Sequence, residues 1–270
     1  MMTTQPVALV TGASSGIGKS AAIALAQHGF RVFGTGRVTA HLAPLEGVTF
    51  LDLDVTDDAS ATAAVATVIA QSGRLDLLVN NAGIGSAGAA EENSAALAQN
   101  VFDINVFGVI RMTNAALPHM RAQGSGRIVN LSSILGIIPQ PYMAVYAASK
   151  HAVEGYSESL DHEVREYGVR VLLVEPAFTN TAFDANTVQP DQPLHAYAQQ
   201  RRVFEDYVAA SIKAGDDPAL VAKAIVAAAT DTKPKPRYPV GRSARVSTMR
   251  RLVPAGIFDK QIRKLNRLPA

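Results

Sequence analysis

The sequence predicts a Rossmann-type, doubly wound α/β fold, with about seven parallel strands and helices on both faces of the sheet. Short apolar runs alternate with longer, alanine-rich stretches along most of the 270 residues, which is the order of strands and helices in such a sheet. Hydrophobic residues form 48% of the chain, a content that suits strands buried on both faces. The length fits a single domain over residues 1–270.

The predicted elements follow one another regularly. Asp57 has a side chain suited to capping a helix N-terminus. The predicted strands are residues 6–10, 31–37, 48–55, 75–79, 126–129, 169–174 and 237–240. The predicted helices are residues 19–28, 58–71, 147–167 and 217–229, with one or two more within 91–120. Strand and helix therefore alternate as βαβ units require.

Composition excludes several classes of protein. The chain has no cysteine, which rules out disulfides, thiol catalysis and cysteine-ligated metals, and we expect no metal site. Residues 1–10 lack the basic start and apolar core of a signal peptide. No apolar run is long enough to span a bilayer. We therefore expect a cytoplasmic protein.

The charge is unevenly distributed along the chain. Residues 231–270 contain eleven basic and two acidic residues, a net charge of +9, whereas residues 1–230 carry −7. In the basic extension, about residues 241–270, apolar residues are interleaved with the basic ones: Val246, Met249, Leu252, Ile257, Phe258, Ile262 and Leu265. We favour surface or interface helices that close a substrate pocket, with docking on an anionic membrane as the alternative. No nucleic-acid-binding motif accompanies the charge, so nucleic acid is not an expected partner.

A glycine-rich turn, residues 11–18, joins the first strand to the first helix. Gly12 permits a tight turn, while Gly16 and Gly18 let the backbone approach a phosphate and the helix approach the strand. A helix N-terminus also favours an anion. Strand, glycine-rich turn and helix together predict a dinucleotide site, with these binding residues: Gly12, Ser14, Ser15, Gly16, Ile17 and Gly18.

The ends of the next strands point to the same edge of the sheet, where ligands of such folds bind. Arg37 stands where an acidic residue would bond the adenosine ribose, and its guanidinium suits a 2′-phosphate. We therefore expect NADP(H) to be preferred, with NAD(H) as the alternative. Asp54 and Val55 should lie near the adenine. The fourth strand ends in a polar turn that faces the same crevice: Asn80, Asn81, Ala82 and Gly83.

Tyr146 and Lys150 lie four residues apart, on one face of a predicted helix. The ammonium should lower the pKa of the tyrosine from its ordinary value near 10, which suits a general acid/base. Ser133, at the end of the preceding strand, is placed to hold the same substrate oxygen, and Ser132 is its alternative. Asn105 lies within a helix among apolar residues, so its amide should be bonded to backbone or water.

In combination these motifs resemble the short-chain dehydrogenase/reductase family, single-domain branch, over roughly residues 5–182. The resemblance implies an oxidoreductase acting on CH–OH groups with NAD(P), with a tetrad of Asn105, Ser133, Tyr146 and Lys150. Tyr146 would be the general acid/base and Ser133 would hold the substrate oxygen. Lys150 would bind the nicotinamide ribose, with Tyr146 beside it, and Asn105 would position a water that links Lys150 to solvent.

The resemblance extends past the sixth strand. Pro176 begins the turn that would contact the nicotinamide, and Ala177 replaces a glycine usual in the family. Thr181 is the better match for the carboxamide contact, and Thr179 is its rival. Residues of about 182–215 correspond to a substrate lid, with an apolar and aromatic set of side chains: Phe183, Val188, Leu194, Tyr197, Phe204 and Tyr207.

The apolar lid predicts a hydrophobic aldehyde, ketone, retinoid or steroid-like substrate. Residues 175–178 and the basic extension also resemble the 17β-hydroxysteroid and retinol dehydrogenase-like subgroup. The family resemblance implies a homodimer or homotetramer formed through the helices that bear Asn105 and Tyr146. Two rival functions are a non-catalytic NADP-binding sensor and a protein that docks on membranes through its basic extension.

Overall fold

The computed structural model describes residues 5–181, 183, 186–241, 246, 250, 253–266 and 268. Its centre is a seven-stranded sheet in the order β3-β2-β1-β4-β5-β6-β7, and every neighbouring pair is parallel. The strands are β1 (Val7–Val10), β2 (Arg31–Gly36), β3 (Val48–Asp52), β4 (Leu77–Asn80), β5 (Gly126–Leu131), β6 (Val169–Glu175) and β7 (Arg237–Pro239). The predicted doubly wound fold is confirmed.

Helices cover both faces of this sheet. A single π-helical turn, Asp103–Phe107, joins α3 to α4, and a 3₁₀ turn, Arg165–Tyr167, extends α5. The helices are α1 (Gly16–Gln27), α2 (Asp58–Ser72), α3 (Ala95–Phe102), α4 (Gly108–Gln123), α5 (Ala144–Val164), α6 (Ala198–Lys213), α7 (Pro218–Thr230) and α8 (Ala255–Leu265). Of these, α1, α2, α4, α5 and α7 form the outer layers of a three-layer α/β/α arrangement.

Two apolar cores separate the sheet from these layers. On one face, α1 and α7 pack closely through side chains such as Ala22 and Ile225. On the other face, α2, α4 and α5 bury larger side chains such as Met112 and Leu160 against the strands. The inner strands β1, β2, β4, β5 and β6 are almost entirely buried, as continuous apolar runs in a parallel sheet require, whereas the edge strands β3 and β7 are partly exposed.

Local signals explain where α2 begins and ends. Asp57 accepts a hydrogen bond from the Ser60 amide at 2.6 Å, as predicted for an N-cap. Gly73 ends the helix in the left-handed conformation, with φ of 72°.

Several strand boundaries differ from the prediction. β3 ends at Asp52, before the predicted 55, because Asp54 accepts hydrogen bonds from Thr56 and turns the chain. β5 instead continues to Leu131, since its pairing with β6 runs that far.

The basic extension is described in part. One of its predicted helices is α8, whereas Arg242, Arg245, Met249, Leu252 and Arg267 lie outside the described residues. In the lid, residues 182, 184 and 185 also lie outside them. Among the helices that the structure does describe, none is long and apolar enough to cross a membrane.

Candidate active site

A crevice of about 960 Å³ runs along the carboxyl ends of the strands and under the lid. Most of the predicted binding residues line it: Gly12, Ser14, Ser15, Gly16, Ile17, Arg37, Asp54, Val55, Asn81, Ala82, Gly83, Ser133, Tyr146, Lys150, Pro176, Thr179 and Thr181. Gly18 and Asn105 are not among the lining residues. The structure therefore brings residues from distant parts of the sequence to one edge of the sheet.

The glycine-rich turn is closely packed. Gly12 has φ of 66° and Gly16 has φ of 54°, a backbone conformation that favours glycine. A Cβ atom on Gly18 would lie 2.2 Å from the Gly12 carbonyl oxygen and 2.4 Å from Nδ2 of Asn81. Gly18 therefore acts through packing, by letting α1 approach the turn and the end of β4.

The N-terminus of α1 opens toward the crevice with its amide groups available. Its N-cap, Ser15, is extended and makes no side-chain capping bond, and the first turn has no acidic residue. Four amide groups at a helix start lack partners within the helix, and the helix dipole favours an anion there. The turn therefore fits the pyrophosphate of a dinucleotide.

The ends of β1 and β4 are tied together beneath this turn. Thr11 Oγ1 accepts hydrogen bonds from the amides of Asn81 and Ala82, both at 2.9 Å. Nδ2 of Asn81 donates to the carbonyl oxygens of Thr11 at 2.9 Å and Gly12 at 3.1 Å. Thr11 was not identified from the sequence, although it opens the glycine motif.

The two asparagines of the polar turn have different positions. Asn80 is buried, and its Nδ2 donates to Oδ1 of Asn130 at 2.9 Å, inside the fold. Asn130 in turn donates to Ser157 of α5 at 2.8 Å. Of the pair, Asn81 lines the crevice and Asn80 connects β4 to β5 and α5 through Asn130.

Arg37 and Asp54 stand at the end of the crevice beside β2 and β3. Arg37 is exposed directly after β2. Hydrogen bonds from Thr56 lower the pKa of the Asp54 carboxyl, and Arg37 adds to this effect. Asp54 is therefore ionised at neutral pH, and the Arg37 guanidinium is near enough to act on it.

Tyr146, Ser133 and Lys150 meet at the middle of the crevice. Burial raises the pKa of Tyr146 to about 12, against the lowering effect of its hydrogen bond with Ser133. Burial also lowers the pKa of Lys150 to about 8, while the charge of Glu154 acts in the opposite direction. The expected lowering of the Tyr146 pKa by Lys150 is therefore wrong for this structure, because desolvation of the phenolate dominates.

Lys150 is held in place by the end of β5. Its Nζ donates a hydrogen bond to the Leu131 carbonyl oxygen at 2.8 Å and lies 5.7 Å from the centre of the Tyr146 ring. The two side chains therefore lie on the same face of α5, as their spacing predicted. Ser133, rather than Ser132, is the serine whose hydroxyl reaches Tyr146.

Asn105 lies behind these residues, in the π-helical turn. Its Nδ2 donates to the Ile84 carbonyl at 2.9 Å and to Ser149 Oγ at 3.1 Å, and its Oδ1 accepts from the Ile84 amide at 2.9 Å. Ser149 donates in turn to the Tyr146 carbonyl at 2.7 Å. The buried amide is bonded to backbone, one of the two predicted solutions, and it connects the turn after β4 to α5.

A buried charge cluster that was not identified from the sequence lies next to Lys150. Glu154, one helical turn further along α5, pairs with Arg237 of β7, which also pairs with Glu175 at the end of β6. Burial raises the pKa of Glu154 to about 7, against the lowering effects of Ser132 and Arg237. The signal in the sequence was the spacing: Glu154 follows Lys150 by four residues, which places it on the same helix face as Lys150 and Tyr146.

The turn after β6 places two threonines on the crevice wall. Thr179 donates its hydroxyl hydrogen to the Ala177 carbonyl at 3.1 Å. Thr181 faces the glycine-rich turn, since a Cβ atom added to Gly16 would lie 3.4 Å from the Cβ of Thr181. Thr181 therefore lies across the crevice from the start of α1.

The lid half of the crevice is mainly apolar. The Phe183 and Tyr146 rings lie 5.9 Å apart, and Phe204 stacks on Tyr142 at 5.6 Å. Other apolar side chains complete this half: Ala87, Ile134, Leu135, Met143, Phe178, Val208 and Ile212.

The other lid residues singled out in the sequence have different surroundings. Val188 pairs with the backbone beside Ser86, Tyr207 packs on Phe178, and Leu194 is exposed.

The lid is attached to the body by an ion pair. Glu92 is fully buried, accepts hydrogen bonds from the amides of Ala89 and Leu194 at 2.9 and 2.8 Å, and pairs with Arg201 of α6. Tyr197 donates to Glu91 beside it. These contacts hold α6 over the apolar half of the crevice.

A parallel sheet with a glycine-rich turn and a buried tyrosine at its carboxyl edge defines a dinucleotide-binding α/β enzyme. A profile of the short chain dehydrogenase family matches residues 6–192. The chain therefore belongs to the short-chain dehydrogenase/reductase family. It is an oxidoreductase of the class that acts on CH–OH groups with a nicotinamide cofactor.

Several curated relatives carry substrate names. A 3-ketodihydrosphingosine reductase from Bacteroides thetaiotaomicron is 43% identical over 180 residues, which span 67% of this chain and 66% of that protein. The mouse 17-beta-hydroxysteroid dehydrogenase type 1 is 36% identical over 270 residues, covering 93% of this chain and 78% of the relative. The mouse relative agrees with the resemblance of residues 175–178 and the basic extension to the 17β-hydroxysteroid and retinol dehydrogenase-like subgroup.

Solved structures share the fold over nearly the whole chain. A short-chain dehydrogenase from Streptomyces avermitilis has a TM-score of 0.83 and 35% identity, and covers 97% of this chain and 96% of its own. A family member from Burkholderia phymatum in complex with NAD has a TM-score of 0.77 at 27% identity, over 93% and 94% of the two chains. ElxO with NADP bound has a TM-score of 0.74 at 26% identity, over 87% and 97%.

Proposed function

We propose that the protein is an NADP(H)-dependent oxidoreductase that transfers a hydride between the nicotinamide and a carbonyl or alcohol group of a hydrophobic substrate. The observation that carries this proposal is the position of Tyr146, which contacts Ser133 and Phe183 where the polar half of the crevice meets the apolar half. When bound, the nicotinamide nucleotide supplies or accepts the hydride. A dinucleotide in the polar half and a substrate in the apolar half would meet beside Tyr146.

The side chains around Tyr146 have distinct proposed roles. Tyr146 donates its proton to the carbonyl oxygen in reduction and accepts the hydroxyl proton in oxidation. Ser133 donates a hydrogen bond to the same oxygen. Lys150, fixed by the Leu131 carbonyl, binds the nicotinamide ribose. Asn105 positions a water that links Lys150 to solvent. This role is supported by the three hydrogen bonds that fix the Asn105 side chain.

The remaining crevice residues are proposed to bind the dinucleotide. The glycine-rich turn and the start of α1 would hold the pyrophosphate through backbone amides. Asp54 and Val55 would border the adenine, and Asn81, Ala82 and Gly83 the ribose and nicotinamide. Thr181 would contact the carboxamide, with Thr179 as its rival and Pro176 beside them.

The proposed preference for NADP(H) rests on Arg37. Thr35 and Gly36 end β2 and Arg37 follows it, so this point has no carboxylate, and all three residues line the crevice. A carboxylate there would repel a 2′-phosphate, whereas an exposed guanidinium can bond it bidentately. Solved relatives are found with either cofactor, so the preference is argued from this chain's own residues.

The proposed substrate is a large hydrophobic carbonyl compound or the corresponding alcohol. The apolar half of the crevice is lined by Phe183, Phe204 and aliphatic side chains. Relatives named for a long-chain keto lipid and for a steroid support this class. The first compounds to test are therefore long-chain ketones and aldehydes, retinoids and steroids.

The deciding experiment measures NADPH and NADH oxidation with that panel, for the native protein and for Tyr146→Phe. We expect turnover with NADPH that Tyr146→Phe abolishes, with NADPH affinity nearly unchanged. Tyr142→Phe is the matched control, because it also removes one phenol hydroxyl near the lid, and it should keep turnover. Turnover retained by Tyr146→Phe would refute the mechanism. Tight NADPH binding with no turnover on the whole panel would favour a cofactor-binding sensor instead.

We further propose that the protein is a cytoplasmic homodimer or homotetramer assembled through α4 and α5. The supporting observation is Phe107, which lies directly before α4 and is 50% exposed. Such an exposed aromatic ring is typical of the centre of an interface. Light scattering of the native protein and of Phe107→Ser would test this, since a monomeric native protein would exclude it.

A further inference from the structure

Helix α8 presents two large apolar side chains to solvent. Ile257 is 55% exposed and Leu265 is 60% exposed, although both belong to an eleven-residue helix attached to the fold. They are eight residues apart, a little over two turns, so Leu265 lies about 80° around the helix axis from Ile257, at the border between the solvent side and the body side. Phe258 and Ile262, on the adjoining side, are half-buried against the protein. The helix therefore has one apolar side toward the body and a second toward solvent.

The exposed side of α8 is also basic. Lys260 and Lys264 lie three and seven residues after Ile257, which places them next to it on the helix surface. Neither lysine forms an ion pair with any carboxylate in the described part of the chain. Asp259, the acidic residue of α8, falls on a different side of the helix. This surface, Ile257, Lys260, Lys264 and Leu265, is called the α8 face below.

The α8 face adjoins the lid end of the crevice. Leu265 and Asn266 form a small cleft together with Tyr142, Phe204 and Tyr207. Phe204 also lines the main crevice, and Gln140 donates a hydrogen bond to Asn266. The end of α8 therefore packs on the lid helix α6, beside the apolar half of the crevice.

We propose that the α8 face docks on the surface of an anionic lipid bilayer. Lysines interleaved with two apolar side chains match an interface in which headgroups carry negative charge and acyl chains begin just below them. The basic extension around it, residues 241–270, has eight basic residues and one acidic residue, a net charge of +7, which is complementary to such a surface. Two exposed apolar residues are too few for a stable protein interface, which buries about 800 Å² on each partner.

Docking in this orientation would bring the lid end of the crevice close to the lipid. Because α8 touches α6 through the Leu265 cleft, a membrane under the α8 face would lie beside the apolar half of the crevice. A hydrophobic substrate would then have a short path from bilayer to protein. The docking itself does not depend on catalysis and is tested without turnover.

The test is co-sedimentation of the full chain with vesicles of phosphatidylcholine and phosphatidylserine, compared with phosphatidylcholine alone. We expect binding to the anionic vesicles that weakens at high salt. Lys260→Glu/Lys264→Glu should weaken it about 25-fold or more, because each lysine near an anionic surface contributes roughly a factor of five. Ile257→Ser should weaken it without changing the net charge.

The matched control is Lys223→Glu/Lys233→Glu, which makes the same charge change at exposed lysines outside α8 and should keep most of the binding. Circular dichroism checks that each variant is folded. No binding of the native chain to anionic vesicles, or equal loss in the two double variants, would overturn the proposal. A native dimer that Ile257→Ser converts to monomers would overturn it too, because the face would then belong to a second copy.

Discussion

Glu154 and Arg237 form a buried ion pair one helical turn beyond Lys150, and they join the helix of the proposed catalytic residues to the last strand of the sheet. Arg237 also pairs with Glu175, which is fully buried. Nη2 of Arg237 lies 2.8 Å from Oε1 of Glu158. One guanidinium thus serves three carboxylates. Such a cluster is stable only while it is complete, since an uncompensated buried charge is costly.

Replacing Arg237 should therefore destabilise the fold strongly. We expect Arg237→Met to lower the free energy of unfolding by roughly 3–5 kcal/mol, because Glu154 and Glu175 lose their shared cation. Urea unfolding followed by circular dichroism measures this. Arg202→Met, on the exposed surface of α6, is the control and should change stability by about 0.5 kcal/mol or less. Equal effects of the two substitutions would contradict the buried-cluster interpretation.

The raised pKa of Glu154 should make stability depend on pH. Between the ordinary value near 4.5 and about 7, the folded protein keeps a proton that the unfolded chain releases, so this group's contribution to stability falls as pH rises. Glu154→Gln should remove that fall. Between pH 4.5 and 7.5 the native protein should therefore lose roughly 1–3 kcal/mol more of its free energy of unfolding than the variant does. Glu158→Gln, on the same helix, is 52% exposed at its side chain and serves as control. Parallel pH profiles for native protein and Glu154→Gln would refute the prediction.

Arg37 should determine the choice of cofactor. Arg37→Asp removes a charged donor and adds a repelling carboxylate, so kcat/KM with NADPH should fall about 100-fold or more while that with NADH rises or holds. Lys223→Asp, remote from the crevice, makes the same charge change and should leave the ratio unchanged. Initial rates with both cofactors decide the matter. An unaltered NADPH preference in Arg37→Asp would exclude the proposed phosphate contact.

Gly18 should tolerate no side chain. A methyl group there would lie 2.2 Å from the Gly12 carbonyl oxygen, so Gly18→Ala should cost roughly 1–3 kcal/mol of stability and weaken cofactor binding at least about tenfold. Gly155→Ala is the matched control, because nothing lies within 4 Å of its added methyl on α5. It should be neutral or slightly stabilising. Thermal unfolding and NADPH titration measure both effects, and a fully active Gly18→Ala would refute the packing argument.

Much of the architecture could be predicted from local patterns. Apolar runs and their spacing identified all seven strands, because burial on both faces of a parallel sheet imposes that pattern on each strand separately. The glycine-rich turn was recognised for the same reason, since Gly12 and Gly16 are required by the local backbone conformation. The boundaries were less accurate, as at β3, where Asp54 ends the strand through a side-chain hydrogen bond.

Contacts between distant residues needed the three-dimensional structure. Nothing in the sequence separates Asn80 from Asn81, yet one faces the core and the other the crevice, because the end of β4 alternates its side chains between the two. The pKa of Tyr146 is raised by burial, and the extent of burial cannot be read from the Tyr-x-x-x-Lys spacing. Glu154 and Arg237 lie 83 residues apart, and their pairing exists only because β6 and β7 align beside α5. Periodicity and turn chemistry thus determine the elements, whereas desolvation and long-range ion pairs are properties of the packed whole.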